Sequence, residues 1–182
     1  EEINDFRGVF CNNDVEYINC DSWKINSPES LIVDGMFNNC RTAKIISFTN
    51  WNQAPFENNY GALCDVKESN KIKIASSASM FADCPNLSDI IFTNWRFTQK
   101  QKTDTPNISN MFQGSKNEDY DLHVSFINCL FECNMKNFLQ VSCLTNNFKP
   151  YGSILDFSSS TFRTDNVSYM LANTNFETIK MN

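Results

Sequence analysis

The sequence repeats itself, and that constrains its fold more than any other property. Met36–Trp51 reads MFNNCRTAKIISFTNW, and Met80–Trp95 reads MFADCPNLSDIIFTNW. The two agree at Met, Phe, Cys, Ile, Phe, Thr, Asn and Trp in a single register. A unit this short cannot bury its apolar residues alone and must stack on its neighbours.

Weaker copies surround these two. Met111-Phe112-Gln113-Gly114 opens a third, with Val124-x-Phe126-x-Asn128 as its later half. Leu130-Phe131-Glu132-Cys133 leads to Val141-x-Cys143, and Met170-Leu171-Ala172-Asn173 leads to Ile179-x-Met181. Near the start, Val9-Phe10 leads to Ile18-x-Cys20 and Ser22-Trp23. Ile72-x-Ile74 and Leu155-x-Phe157 keep only the second half. The second apolar residue of each pair falls at 20, 48, 74, 92, 126, 143, 157 and 181, an average step of about 23 residues. The spacing predicts about eight irregular coils in one domain over residues 1–182, with 99–107 as an insertion.

Each pair has the alternation of a half-buried strand. The expected inward residues are Ile18/Cys20, Ile46/Phe48, Ile72/Ile74, Ile90/Phe92, Val124/Phe126, Val141/Cys143, Leu155/Phe157 and Ile179/Met181. Between them stand Asn19, Ser47, Lys73, Ile91, Ser125, Ser142, Asp156 and Lys180, the expected outward lane and the candidate binding face. Two residues after each strand come Ser22, Asn50, Ser76, Asn94, Asn128, Thr145 and Ser159, side chains suited to a polar ladder at the turn. Trp23, Trp51 and Trp95 follow as expected coil-closing core residues.

Composition narrows the function classes. Of 182 residues, 15 are Lys or Arg and 21 Asp or Glu, a net charge of −6 that argues against a nucleic-acid partner. No run of apolar residues is long enough to cross a bilayer as a helix, so no direct membrane insertion is expected. The chain begins EEINDFRGVF, without a signal peptide, and stops within a repeat; it reads as a piece of a longer protein.

Catalytic signatures are absent: there is no GxSxG, HExxH, P-loop or GxGxxG. The single histidine, His123, sits beside inward Val124 and is expected to face solvent. A hydrolase would need clustered carboxylates, and the outward lane holds only Asp156. Cys129, Cys133 and Cys143 have the wrong spacing for a zinc site. Neither metal nor cofactor is expected. Of the eight cysteines, Cys20 and Cys143 take the inward strand position and Cys40 and Cys84 share one repeat position, with Cys133 one residue off it, as small buried hydrophobes do. Cys40 and Cys84 are expected to lie two coils apart and so beyond disulfide reach, because the strand at Ile74 is placed between them. Sequons occur at Asn86, Asn107 and Asn166, two of them on the repeat's own N-x-S step.

The MF-x-x-C…I-x-F-x-N-W units, with the spacer ends Asn107-Ile108-Ser109-Asn110-Met111 and Asn166-Val167-Ser168-Tyr169-Met170, resemble the BspA-like leucine-rich repeats of bacterial and protist surface proteins. The resemblance is close in two copies and looser in six. It implies a leucine-rich-repeat-like solenoid, with short parallel strands stacked into one curved sheet and short helical or irregular segments opposite. It also implies a non-enzymatic interaction module, on a cell surface or secreted, that binds a protein or glycoprotein ligand in adhesion or host recognition. The alternative expectation is a scaffold segment that positions another domain of a larger protein.

Overall fold

The computed structural model describes residues 3–21, 23, 31–47, 72–98, 110–112, 122–133, 154–164, 166–168, 170–171 and 176–181. Within them the regular elements are eleven short strands, and no helix occurs. They are β1 (Tyr17–Asn19), β2 (Leu31–Ile32), β3 (Ile45–Ser47), β4 (Ile72–Ser76), β5 (Asp89–Thr93), β6 (Trp95–Thr98), β7 (His123–Ile127), β8 (Leu130–Glu132), β9 (Ile154–Asp156), β10 (Thr161–Phe162) and β11 (Thr178–Lys180).

The strands form two parallel sheets. One has six strands in the order β1-β3-β5-β7-β9-β11, and the other has five in the order β10-β8-β6-β4-β2. The chain therefore alternates between sheets, and each circuit lays one strand on each. This corrects the expectation of a single sheet. Parallel neighbours cannot be joined by a hairpin and need a crossover; here the crossover itself carries the second strand. The correction falls on β4: Ile72, Lys73 and Ile74 pair with Trp95, Arg96 and Phe97, so this strand belongs to the five-stranded sheet. Val141/Cys143 and Phe48 lie outside the described residues.

A third column runs along the turns that precede β1, β3 and β5. Gly8, Phe10 and Asn12 donate backbone N–H groups to the carbonyls of Asp34, Met36 and Asn38 at 2.9–3.2 Å. Gly35, Phe37 and Asn39 donate likewise to Ala78, Met80 and Ala82, and Phe81 to Met111. Residues just before the apolar pair are left-handed: Gly8, Gly35, Ser79 and Asn110 have φ between 53° and 62°. Asn12, Asn39 and Asp83 repeat that conformation four residues later. Gly has no Cβ to clash there, and Asn or Asp tolerates the region better than other side chains. Asn94 and Asn128 do the same at the corners between β5 and β6 and between β7 and β8. Asn at these positions thus meets a requirement of the backbone.

The column and the two sheets enclose a core dominated by phenylalanine. Phe10, Phe37, Phe81 and Phe112 stack within 9° of parallel at 5.3–5.4 Å. Phe92, Phe126 and Phe157 stack at 4.5 and 4.9 Å under the six-stranded sheet. Phe97, Phe131 and Phe162 stack at 4.8 and 5.1 Å under the five-stranded one. These spacings match the ~4.8 Å between parallel strands, so each ring rests on its counterpart in the next circuit. The ladders meet edge to face, as Phe126 does with Phe131 at 5.3 Å and 70°. That geometry sets positive ring edges against negative faces.

The inward residues Ile18, Cys20, Ile46, Ile72, Ile74, Ile90, Phe92, Val124, Phe126, Leu155 and Phe157 are all buried. Met36, Met80 and Met111 fill the turn side, and Trp95 is buried as a core residue. Ile179 and Met181 depart from the expectation, at 43% and 54% exposed. They sit on or beside β11, the outermost strand of its sheet, and no described element lies beyond it.

Candidate interaction face

The alternation that buries one side of the six-stranded sheet points the other side outward. The pairing puts Asn19 beside Ser47, Ile91 beside Ser125, Ser125 beside Asp156, and Asp156 beside Lys180. β3 and β5 pair at Ile45 and Asp89, and Ser47 and Ile91 each stand two residues further along their strands. Six of the eight expected lane residues therefore form one continuous row. Lys73 is not among them: it lies on β4 in the five-stranded sheet, paired with Arg96. Ser142 lies outside the described residues.

The row is held by side-chain contacts. Lys180 Nζ stands 3.6 Å from Asp156 Oδ2. Burial raises the Asp156 pKa, but the Ser158 hydroxyl and N–H and the Lys180 ammonium outweigh it and hold the carboxyl below its ordinary value. At the other end, Ser47 Oγ donates to Asp21 Oδ1 at 2.6 Å.

A second outward row lies two residues upstream on the same strands, and it was not singled out in the sequence. It runs Tyr17, Ile45, Asp89, His123, Ile154 and Thr178 in register. The available signal was the same period of two, carried one step back from each inward residue. Three large apolar side chains stand out on this face: Tyr17 is 63% exposed, Ile45 42% and Ile91 41%. They are flanked by a Lys44–Glu16 pair at 3.0 Å and by His123 Nδ1, 3.3 Å from Asp89 Oδ1. His123 thus faces outward, half exposed, with a carboxylate on one ring nitrogen. The arrangement offers desolvatable surface rimmed by charge, which is what a protein partner uses.

The five-stranded face differs. Arg96 Nε donates to Glu132 Oε2 at 2.6 Å, and Arg163 Nη1 donates to Glu132 Oε1 at 3.1 Å. That chain of charges spans β6, β8 and the residue after β10. It pairs its charges internally.

The polar ladder is present at the corners. Asn128 Nδ2 donates to Asn94 Oδ1 at 2.7 Å, and Asn128 N–H donates to Ser159 Oγ at 3.1 Å. Ser22, Asn50 and Thr145 lie outside the described residues, and Ser76 instead bonds Asp34 from β4. Six described cysteines, at 11, 20, 40, 84, 129 and 133, are in the thiol form, outside any disulfide. Burial pushes the Cys20 thiol up to about 11 and the Cys133 thiol up to about 12, with Asp21 and Glu132 adding to each. Such thiols stay protonated and unreactive. No cluster of three or more His, Cys, Asp or Glu able to hold a metal occurs among the described residues. Among them, too, no helix is long and apolar enough to cross a membrane.

The expected separation of Cys40 and Cys84 is overturned. Asn39 N–H bonds Ala82 O at 2.8 Å, so the two cysteines occupy the same place in directly neighbouring circuits. The error followed from placing β4 in the wrong sheet.

No family model, curated protein or solved structure matches this chain.

Proposed function

We propose that the chain is an irregular leucine-rich-repeat-like solenoid of the BspA-like kind, acting without catalysis as a protein-interaction module of a cell-surface or secreted protein. Its outward six-stranded face would take a protein or glycoprotein ligand. The observation that carries this reading is the exposed set of Tyr17, Ile45 and Ile91 among the polar residues Asn19, Ser47, Asp89 and Ser125 of a regularly spaced sheet. Aromatic and aliphatic anchors within a polar rim are where binding energy concentrates in interfaces. Among the described residues no strand of the five-stranded sheet carries an exposed large apolar side chain, which favours the six-stranded face.

The test is binding of the full chain to immobilised cell-surface glycoproteins and to intact cells over a range of salt. The Tyr17→Ser/Ile91→Ser double variant is expected to weaken capture at least tenfold with an unchanged melting temperature. Lys73→Ala, on the other sheet, is expected to leave it unchanged. Equal capture by the double variant would remove the binding role from this face. Absence of capture by the unaltered chain under every condition would leave the scaffold reading in its place.

A further inference from the structure

Cys40 and Cys84 follow the left-handed residues Asn39 and Asp83 in successive turns, and both are fully buried. Their circuits are joined immediately beside them by the Asn39–Ala82 hydrogen bond. Parallel neighbours lie ~4.8 Å apart, within the roughly 4.4–6.8 Å between Cα atoms that disulfides span. Cys84 Sγ lies 3.0 Å from Phe37 O, so its side chain turns toward the circuit of Cys40; Cys40 Sγ lies 3.1 Å from Phe10 O in the circuit before, and rotates back about its Cα–Cβ bond to meet Cys84.

We propose that Cys40 and Cys84 are a modification site: an inter-circuit disulfide that forms when the chain folds in the presence of a low-molecular-weight or protein disulfide as oxidant. The Cys40 thiolate attacks one sulfur of the oxidant, breaks its S–S bond and expels the other half as a thiolate. Cys84 then loses its proton and attacks the Cys40 sulfur of the mixed disulfide, releasing the second half. Two protons and two electrons leave the cysteine pair, and the oxidant is reduced to two thiols. Contact with Cys84 lowers the Cys40 thiol below its ordinary range against the effect of burial, which fits Cys40 as the attacking group, while Cys84 is raised. Because both sulfurs are buried, the reaction takes place during folding or through local opening of these turns. The bond closes a loop that contains all of residues 48–71.

The test refolds the full chain in a buffer of reduced and oxidised glutathione, blocks remaining thiols after denaturation, and maps peptides without reduction. Trypsin places Cys40 in the peptide 25–41 and Cys84 in the peptide 74–96, each with no other cysteine. The expected product is these two peptides joined, separable by reductant. The melting temperature should rise by roughly 5–10 °C over the reduced protein, since a crosslink over a loop of this length restricts the unfolded chain. Cys40→Ala and Cys84→Ala should each abolish both the joined peptide and the rise; Ala also fills both sites without a new polar group. Recovery of both peptides with blocked thiols, a stable glutathione adduct on either cysteine, or joining of either to a different cysteine would overturn the proposal.

Discussion

Replacing Phe126 by Ala tests whether the aromatic ladders are the core they resemble. Phe126 is buried between Phe92 at 4.5 Å and Phe157 at 4.9 Å, with edge contacts to Phe97 at 6.2 Å and Phe131 at 5.3 Å. Truncating a buried phenylalanine costs ~3–5 kcal/mol, from lost transfer energy and the cavity left behind. Aromatic pairs add ~0.5–1.5 kcal/mol each beyond the area they bury. With four ring partners, Phe126→Ala belongs at the upper end, about 4–5 kcal/mol. Phe162 supplies the internal comparison. It is only partly buried, at the end of its ladder, with stacking on Phe131 at 5.1 Å and an edge contact to Phe157 at 5.4 Å. About 2 kcal/mol is expected for Phe162→Ala, less than half the full burial value. At ~2–4 °C per kcal/mol for a chain of this size, the melting temperature should fall by about 8–20 °C for Phe126→Ala and about 4–8 °C for Phe162→Ala. Urea unfolding should be followed by circular dichroism and by tryptophan fluorescence, because buried Trp95 lies edge-on to Phe92 at 5.0 Å. A loss below about 1 kcal/mol at Phe126, or equal losses at the two sites, would refute the idea that stacked rings hold neighbouring circuits together.

Other predictions concern the turns and the charges. Asn128 is left-handed and donates to Asn94; Asn128→Gly should cost about 1 kcal/mol for the hydrogen bond, and Asn128→Ala about 1–2 kcal/mol more for strain, by urea denaturation. At Gly35, with φ 55°, a Cβ would meet Asn38 at an ordinary 3.5 Å, so only backbone conformation is at stake. Gly35→Asn should therefore be better tolerated than Gly35→Val, and the reverse order in thermal melts would contradict the turn geometry. Glu132→Gln should destabilise by about 1 kcal/mol at low salt and less at high salt, because it weakens the bonds from both Arg96 and Arg163. Asp156 has a lowered pKa in the folded chain, so its contribution is present above the unfolded carboxylate value and is lost as pH falls through the folded one. Asp156→Asn should flatten the stability curve on the acid side of about pH 4 and leave the neutral region nearly flat.

Much of this architecture is written into a period of two. Ile46, Ile90, Val124 and Leu155 were recognisable as inward residues because each stands two before a second apolar residue in a pair that recurs along the chain, and all four are buried. The Asn94–Asn128–Ser159 ladder was legible because one residue type recurs at one offset from the strand. Which sheet a strand joins was not legible. Ile72-Lys73-Ile74 has the same alternation as Ile90-Ile91-Phe92, and alternation fixes a face without naming the neighbour. That ambiguity moved Lys73 into the wrong row and separated Cys40 from Cys84. The short strands β6, β8 and β10 were missed for a related reason. Trp95, Leu130 and Thr161 begin within five residues of the preceding strand, so each looked like the tail of one element. The exposed row of Tyr17 and Ile45 was missed because Ile45-Ile46 are two apolar residues in sequence. Only the pairing register decides which of them faces out.

The column of left-handed turns also bears on how such a chain can change over time. Gly8, Gly35, Ser79 and Asn110 answer to one backbone requirement, and the hydrogen bonds of the column run between successive turns, as from Gly8 to Asp34 and from Gly35 to Ala78. A replacement at one rung therefore has at most two neighbours to satisfy. The distance around a circuit matters little, since residues 48–71 fit between β3 and β4 while β5 and β6 are separated by Asn94 alone. Selection can lengthen or shorten a circuit and leave the stacking chemistry intact. Descendants of such a chain should keep their rungs and vary their spans, so that kinship is carried by a column of matched residues more faithfully than by any stretch of linear sequence.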